Sequence, residues 1–343
     1  MLEHYENFID RLVDNLASAD HALCSNALQL MNALMRDSIV NGGEDEWPKF
    51  VRRLQELGII GTVESLMRGE VAADLAEPIV QFQNLTKSLR RRWREMHVSA
   101  DKPEHRRALL QIRAASYQPG GRGSLGLAAN EELQGTGMDP NDAASWSRLG
   151  FESLNPADDF AQTGLLGLMD LSGYVRTKTD AFQKVLLEQS VLAPDEICPL
   201  AKASLQVTLI LCDHFGVDQE DALESAGPPY SDGESEKIIQ PLLLNWERIH
   251  AAALTSFLRI WSTASARQDE FSKIEHLVSV LVGRVCGAAG RKVPTDEVEK
   301  HLHDVPLSLL REWQLQDLDR VYEHGWGSEL TWVFLAECYR CVC

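Results

Sequence analysis

Lys87, Arg90, Arg91 and Arg94 recur at helical spacing, with Trp93 beside them, in a chain that is otherwise acidic. Such a row can recruit acidic partners or lipid headgroups, or it can be a solvated helix face paired with the chain's many carboxylates. Cys198 and Cys212 have the chemistry of metal ligands. With no C-x-x-C and no histidine cluster nearby, their apolar helical setting suits buried thiols better. Cys338, Cys341 and Cys343 with His324 make a second conceivable zinc set, crowded at the chain end without residues to orient the ligands. Gly121, Gly123 and Gly126 spell G-x-G-x-x-G. A dinucleotide loop needs a strand before it and a helix after it, and here Pro119 precedes with no β-like run. His97, His105, His301 and His303 fall on polar helix ends and read as surface residues. No Ser-His-Asp, Cys-His, Walker or zinc-hydrolase pattern is assembled along the sequence. The expectation is a protein that is not an enzyme and needs no cofactor or metal.

The bulk composition narrows the class. A chain of 343 residues with 44% hydrophobic content can bury a core of about two domains. A formal charge of −18 argues against a general nucleic-acid binder and against an anionic membrane surface. No apolar run approaches the roughly 20 residues of a spanning helix. The start, MLEHYENFID, has no signal-peptide core. Seven cysteines, an odd number mostly within apolar helical patterns, fit reduced thiols in the cytosol.

Residues 4 to 118 read as successive helices. Leu23, Ala27, Leu30, Met31 and Leu34 make one apolar stripe, and Asn41-Gly42-Gly43 ends it with residues that accept left-handed geometry. Further helices are expected around Val51 to Leu57, from Ile59, and from about Ala72 to His97, with Asp101-Lys102-Pro103 opening another as an N-cap with Pro inside the first turn. Short connections between apolar helices suggest an array whose neighbours bury each other's faces. Residues 118 to 142 turn Gly-rich and poor in bulky side chains, the composition of a flexible linker. Beyond it come helices over 180–190, after Pro199, and two long ones at about 239–260 and 268–288, the last two packing antiparallel.

The stretch WSRLGFESLNPADDFAQTGLLGLMDLSGYV, residues 146 to 175, changes character midway. Trp146, Leu149 and Phe151 are bulky, and Gly150 among them lets the backbone turn tightly. Asn155-Pro156 breaks the helix, and Asp158 and Asp159 suit the first turn of the next one. Phe160, Leu165, Leu168, Met169 and Leu171 then share roughly one face, while Gly164 and Gly167 leave room for a neighbouring backbone. On its own this reads as a helix-turn-helix packing unit.

The same stretch resembles the signature of the ELMO (engulfment and motility) domain at Trp146, Leu149, Gly150, Phe151, Asn155, Pro156, Asp159, Phe160, Gly164, Leu165, Gly167 and Leu168. In relatives that activate GTP hydrolysis by Arf-family GTPases, the residue after the D-F pair is arginine; here it is Ala161. Alanine offers no guanidinium for a transferring phosphoryl group, and neither Arg148 nor Arg176 stands at the motif position. Other stretches resemble family segments in the expected order. SNALQLMNALMRDS is similar to the armadillo-type region, CPLAKASLQVTLILC and LLNWERI to later ELMO helices, and VPLSLLREWQLQDLD to the helix leading toward a pleckstrin-homology domain. The tail after Asp319 resembles nothing in the family.

The resemblance implies an all-α fold: an armadillo-like helical array (1–117), the Gly-rich linker (118–142), an ELMO domain (143–312) and a C-terminal helix with an atypical tail (313–343). It covers the middle of a complete family member, stopping before a pleckstrin-homology domain and a proline-rich tail. It also implies a non-catalytic cytoplasmic scaffold acting with a DOCK-type Rac exchange factor. Its setting would be Rho-family GTPase signalling (Rac, RhoG) and receptor cytoplasmic tails, and its processes actin remodelling, phagocytosis of dying cells and migration. Recruitment to the plasma membrane would run through partners. The alternative is an Arf-family GTPase-activating protein, which Ala161 disfavours.

Overall fold

Pro78 lies inside a helix, and the chain's answer to it shapes the first part of the fold. The computed structural model describes residues 6–18, 20–43, 47–69, 73–116, 142–219 and 239–324, and every regular element among them is helical. Helices α1 (Glu6–Leu16), α2 (His21–Asn41), α3 (Trp47–Glu56), α4 (Ile59–Arg68) and α5 (Ala73–Glu95) follow one another. In α5, Pro78 has no N–H to give the carbonyl of Asp74 one turn back. The hydroxyl of Ser25 on α2 donates to that carbonyl at 2.9 Å, and Asn32 Nδ2 donates to the Pro78 carbonyl at 2.8 Å. Two polar side chains seven residues apart thus lie on the buried face of α2, beside Cys24, Ala27, Leu28, Met31 and Met35. The expected stripe is therefore only half right: Ala27 and Met31 are buried, but Leu23 and Leu30 are exposed. Asp20 caps α2, accepting from the amides of Ala22 and Leu23. At the other end Gly42 is extended, with φ −71°, rather than left-handed. The left-handed glycine is Gly58, φ +74°, between α3 and α4.

Two compact units divide the chain, and neither is one continuous stretch. The first comprises residues 1–93, 212–246 and 289–297, and the second 94–211, 247–288 and 298–343. In the first, Arg68 at the end of α4 ties in the segment 291–295. Its guanidinium donates to the carbonyls of Arg291 and Val293 and to the hydroxyl of Thr295, while Glu64 holds its Nε at 2.8 Å.

The second unit draws on α6 (Pro103–Ala115), α7 (Asp142–Arg148), α8 (Gly164–Thr177), α9 (Thr179–Gln189), α10 (Leu200–Phe215), α11 (Trp246–Ala264), α12 (Phe271–Ala288), α13 (Thr295–Asp304) and α14 (Leu307–His324). The two long helices expected near 239 and 268 begin later than the sequence suggests. Pro241 opens a 3-10 turn over Pro241–Asn245 before α11, and a second such turn, Gln268–Glu270, precedes α12. Leu166, Leu168 and Leu171 of α8, Val207 and Leu211 of α10, Phe257 of α11 and Leu281 of α12 are fully buried. The predicted face of α8 needs correction too. Leu165 is half-buried and Met169 exposed, while Leu166, Asp170 and Tyr174 point inward. Most of the Gly-rich stretch, the G-x-G-x-x-G run, and Cys338, Cys341 and Cys343 lie outside the described residues.

Candidate functional site

The ELMO-like stretch folds as a knot around three aromatic rings. Trp146 and Phe151 meet edge-on with centroids 5.2 Å apart, and Phe151 and Phe160 lie 6.0 Å apart, all three buried. Chain reversal at Gly150 brings Trp146 and Phe151 together. Gly150 has φ +85°, and a Cβ there would stand 2.4 Å from the Pro199 backbone, so both conformation and space demand glycine. Leu149 fastens the same approach by accepting from the Ala201 amide at 2.8 Å.

Asp159 plays a different part from the helix-start charge expected of it. Asp158–Ala161 is a 3-10 turn, and α8 starts only at Gly164. The Asp159 carboxylate instead reaches back to accept from the amides of Glu152 and Ser153, at 2.7 and 2.9 Å. Asn155 accepts from the Ala157 amide and donates to Asp158, and Pro156 is buried between them. The N-P-x-x-D-F run is thus a closed loop whose polar groups bond one another.

Gly164 begins α8 with φ +55°, and a Cβ there would lie 2.0 Å from the Arg94 carbonyl oxygen. The next amide, of Leu165, donates to the Met96 carbonyl at 2.9 Å, so backbone packs directly on backbone. Gly167 makes room for side chains instead: a Cβ would crowd Thr163 and Leu205. Ala161 is exposed at the end of the 3-10 turn.

The basic row does not form a solvent-facing strip. Lys87 is buried, and the three arginines are half-buried with their guanidiniums on backbone carbonyls. Arg90 donates to Leu243 at 3.1 Å and lies over the Trp246 ring at 4.5 Å. Arg91 donates to Val217 at 2.9 Å and to Gln219. Arg94, in the second unit, donates to Gln162 at 2.9 Å. A guanidinium supplies several donors in a fixed fork, which suits loop carbonyls that no helix ladder satisfies.

Sequence reasoning missed a serine–histidine pair because its members lie 46 residues apart. His250 Nε2 is 3.4 Å from the Ser204 hydroxyl and 3.1 Å from the Ser204 carbonyl. A carbonyl oxygen only accepts, so that nitrogen carries a proton and cannot take one from the hydroxyl. The nearby Asp170 carboxylate accepts from Thr208 at 2.8 Å. All four residues are buried, and the cluster satisfies polar groups between α8, α10 and α11 rather than meeting a substrate.

Cys24, Cys198, Cys212 and Cys286 are buried and stand outside any disulfide. Burial raises the Cys198 thiol well above its ordinary range and pushes Cys286 up to about 12, so neither offers a thiolate near neutral pH. No cluster of three metal-ligating side chains occurs among the described residues. Among the histidines, His105 departs from expectation. It is buried, its Nδ1 accepts from the Ser99 amide at 3.1 Å, and burial, with Lys102 nearby, lowers its pKa. His97, His301 and His303 are exposed as expected.

Residues 88–275 match the sequence model of the ELMO/CED-12 family, more than half of the chain. The chain belongs to the ELMO/CED-12 family. Similar proteins include engulfment and cell motility protein 3 of mouse, 24% identical over 291 residues, which span 80% of this chain and 37% of the relative. The human protein 3 is 23% identical over 287 residues, with the same coverage. Human engulfment and cell motility protein 1 is 24% identical over 146 residues, 40% of this chain and 19% of the relative. The chain thus spans well under half the length of these ELMO relatives. Its family match takes in the end of α5, the aromatic knot, all of α10 and α11 and the start of α12.

Proposed function

We propose that this ELMO-family chain is a non-catalytic scaffold that works with a DOCK-type Rac exchange factor in engulfment, actin remodelling and cell motility. The observation carrying this reading is Ala161. At the exposed turn where activating relatives present arginine, this chain presents a methyl group. The names of its relatives, engulfment and cell motility proteins, supply the process. Partners in the Rho-family pathway, Rac and RhoG, and receptor tails belong to the same proposal, as does a cytoplasmic location with recruitment to the plasma membrane through partners. Among the described residues no helix is long and apolar enough to cross a membrane. The division into an array (1–117), linker (118–142), ELMO domain (143–312) and C-terminal helix (313–343) is likewise proposed. Titration calorimetry of the full chain against a purified DOCK-type exchange factor tests the reading. Saturable one-to-one binding is expected, and no heat of binding at tens of micromolar would overturn it.

A further inference from the structure

The outer face of α2, in the first unit, is built like a seam. Leu23, Asn26, Leu30, Ala33, Asp37 and Val40 are all exposed, and they follow one another at alternating intervals of three and four residues. That spacing puts them in one line along the helix, the pattern of a coiled-coil stripe. Leu23, Leu30 and Val40 are 41%, 40% and 67% exposed. The opposite face of the same helix is already filled by Cys24, Ala27, Leu28, Met31 and Met35. The helix is therefore apolar on two sides, and only one of them has a partner within the unit. An ordinary solvent face looks different. On α13 the exposed positions Asp296, Glu297, Lys300, His301, His303 and Asp304 are all titratable, whereas the stripe on α2 holds one charge, Asp37.

The order of residues along the stripe selects the occupant, because the stripe complements itself. A second α2 laid antiparallel, with the two-fold axis midway between Leu30 and Ala33, sets Leu23 against Val40, Leu30 against Ala33 and Asn26 against Asp37, each pair twice. A large side chain opposite a small one lets the helices approach. The Asn26 amide can donate to the carboxylate of Asp37, one oxygen of which accepts from Asn41 at 2.8 Å within its own helix. A parallel pair would instead set Asp37 on Asp37. In the antiparallel pair the two copies of Asp37 stand about 16 Å apart along the axis and those of Arg36 about 13 Å, beyond the roughly 8 Å screening length at physiological salt. We propose that α2 joins two copies of this chain through this antiparallel seam. A single helix pair covers less than the roughly 800 Å² per partner of a standard interface, so the dimer is weak. A formal charge of −18 opposes it, with Asp20 just before α2 and Glu44-Asp45-Glu46 following in sequence, so salt strengthens it. The inference does not rest on the exchange-factor reading.

Sedimentation equilibrium of the full chain, from micromolar to several hundred micromolar and in low and moderate salt, reads the association. A monomer–dimer equilibrium that tightens with salt is expected. Leu30→Asp should weaken it at least tenfold, with Leu30→Ser in its place if the aspartate lowers the melting temperature. Val191→Asp, on exposed apolar surface of the second unit, should leave it unchanged. Asn26→Asp sets carboxylate against carboxylate twice and should also weaken the dimer at least tenfold. Adding Asp37→Asn exchanges the two partners at the wild-type net charge and should restore the dimer, a rescue that a merely structural role at either position would not give. A monomer at the highest concentration would overturn the proposal and leave the stripe to a helix of another protein. A dimer indifferent to Leu30→Asp, a double variant no tighter than Asn26→Asp alone, or an association that salt dissolves would each overturn it as well.

Discussion

The aromatic knot of residues 146–167 and the basic row of α5 both hold loops in place, but with opposite materials. The knot uses rings, glycines and one carboxylate aimed at two amides a few residues away. The row uses guanidiniums aimed at carbonyls 68 to 153 residues away. In the first, loss of shape should cost most, because nothing can refill the space of a ring or shrink a side chain. In the second, loss of one arginine frees a carbonyl that water can reach at the half-buried edge. The comparison teaches that a residue's chemical type does not settle what it touches: the arginines that read as a row for acidic partners donate to backbone carbonyls, and the carboxylate that read as a helix-start charge holds two loop amides.

This contrast sets the order of expected effects. Trp146→Ala and Phe160→Ala should each destabilise the second unit by about 3–5 kcal/mol, since each empties a fully enclosed site. Chemical denaturation followed by circular dichroism measures this, and a loss below about 1 kcal/mol would mean the knot is not a core. Gly164→Ala comes next. Its Cβ meets the Arg94 carbonyl at 2.0 Å with φ +55°, so overpacking and strain together should cost roughly 2–4 kcal/mol. Arg91→Ala is expected to cost about 1–2 kcal/mol, the loss of charge-assisted bonds to the Val217 and Gln219 carbonyls. Arg91→Lys should recover only part, because one ammonium does not reproduce the fork. If arginine and alanine variants melt alike, the basic row is not a fastening.

Acid should act more weakly. Burial lowers the pKa of His105, whose Nδ1 accepts from the Ser99 amide, so the folded chain binds its proton less readily than the unfolded chain. Stability from this group is present above the unfolded value of about 6.5 and is lost as pH falls below it toward the lower folded value. His105→Gln keeps an acceptor for Ser99 but cannot titrate. Between pH 7 and 5 the wild type should therefore lose more stability than the variant, and parallel curves would remove His105 from the account. His214 and His276 are lowered by burial in the same sense and should persist as background in both proteins. Smallest of all, Ala161→Arg should change stability by no more than about 0.5 kcal/mol, as expected of an exposed position.

Much of the knot is legible in the sequence because its devices are local. Bulky residues around a glycine announce a buried turn, and Gly164 announces a close approach. The role of Asp159 is not legible, since a helix start and a backward-reaching carboxylate carry the same letter. The faces of α2 and α8 escape the sequence for another reason. Leu165, Leu166, Leu168 and Met169 all fit an apolar face, so periodicity alone cannot say which point inward. On α2, Ser25 and Asn32 look like solvent residues until Pro78, on a different helix, leaves a carbonyl for one of them to satisfy. The arginines are the clearest limit: their partners are carbonyls, which every residue has, so no letter in the sequence marks them.

The central claim is that the ELMO signature in this chain shapes a surface and does no phosphoryl chemistry. Single-turnover GTP hydrolysis by Arf-family GTPases, measured with and without the full chain, tests it most directly. An arginine finger in place raises such rates by on the order of 10³ to 10⁵. With Ala161 in that position the rate should be unchanged, and a stimulation of a hundredfold or more would contradict the account and require another arginine to supply the charge.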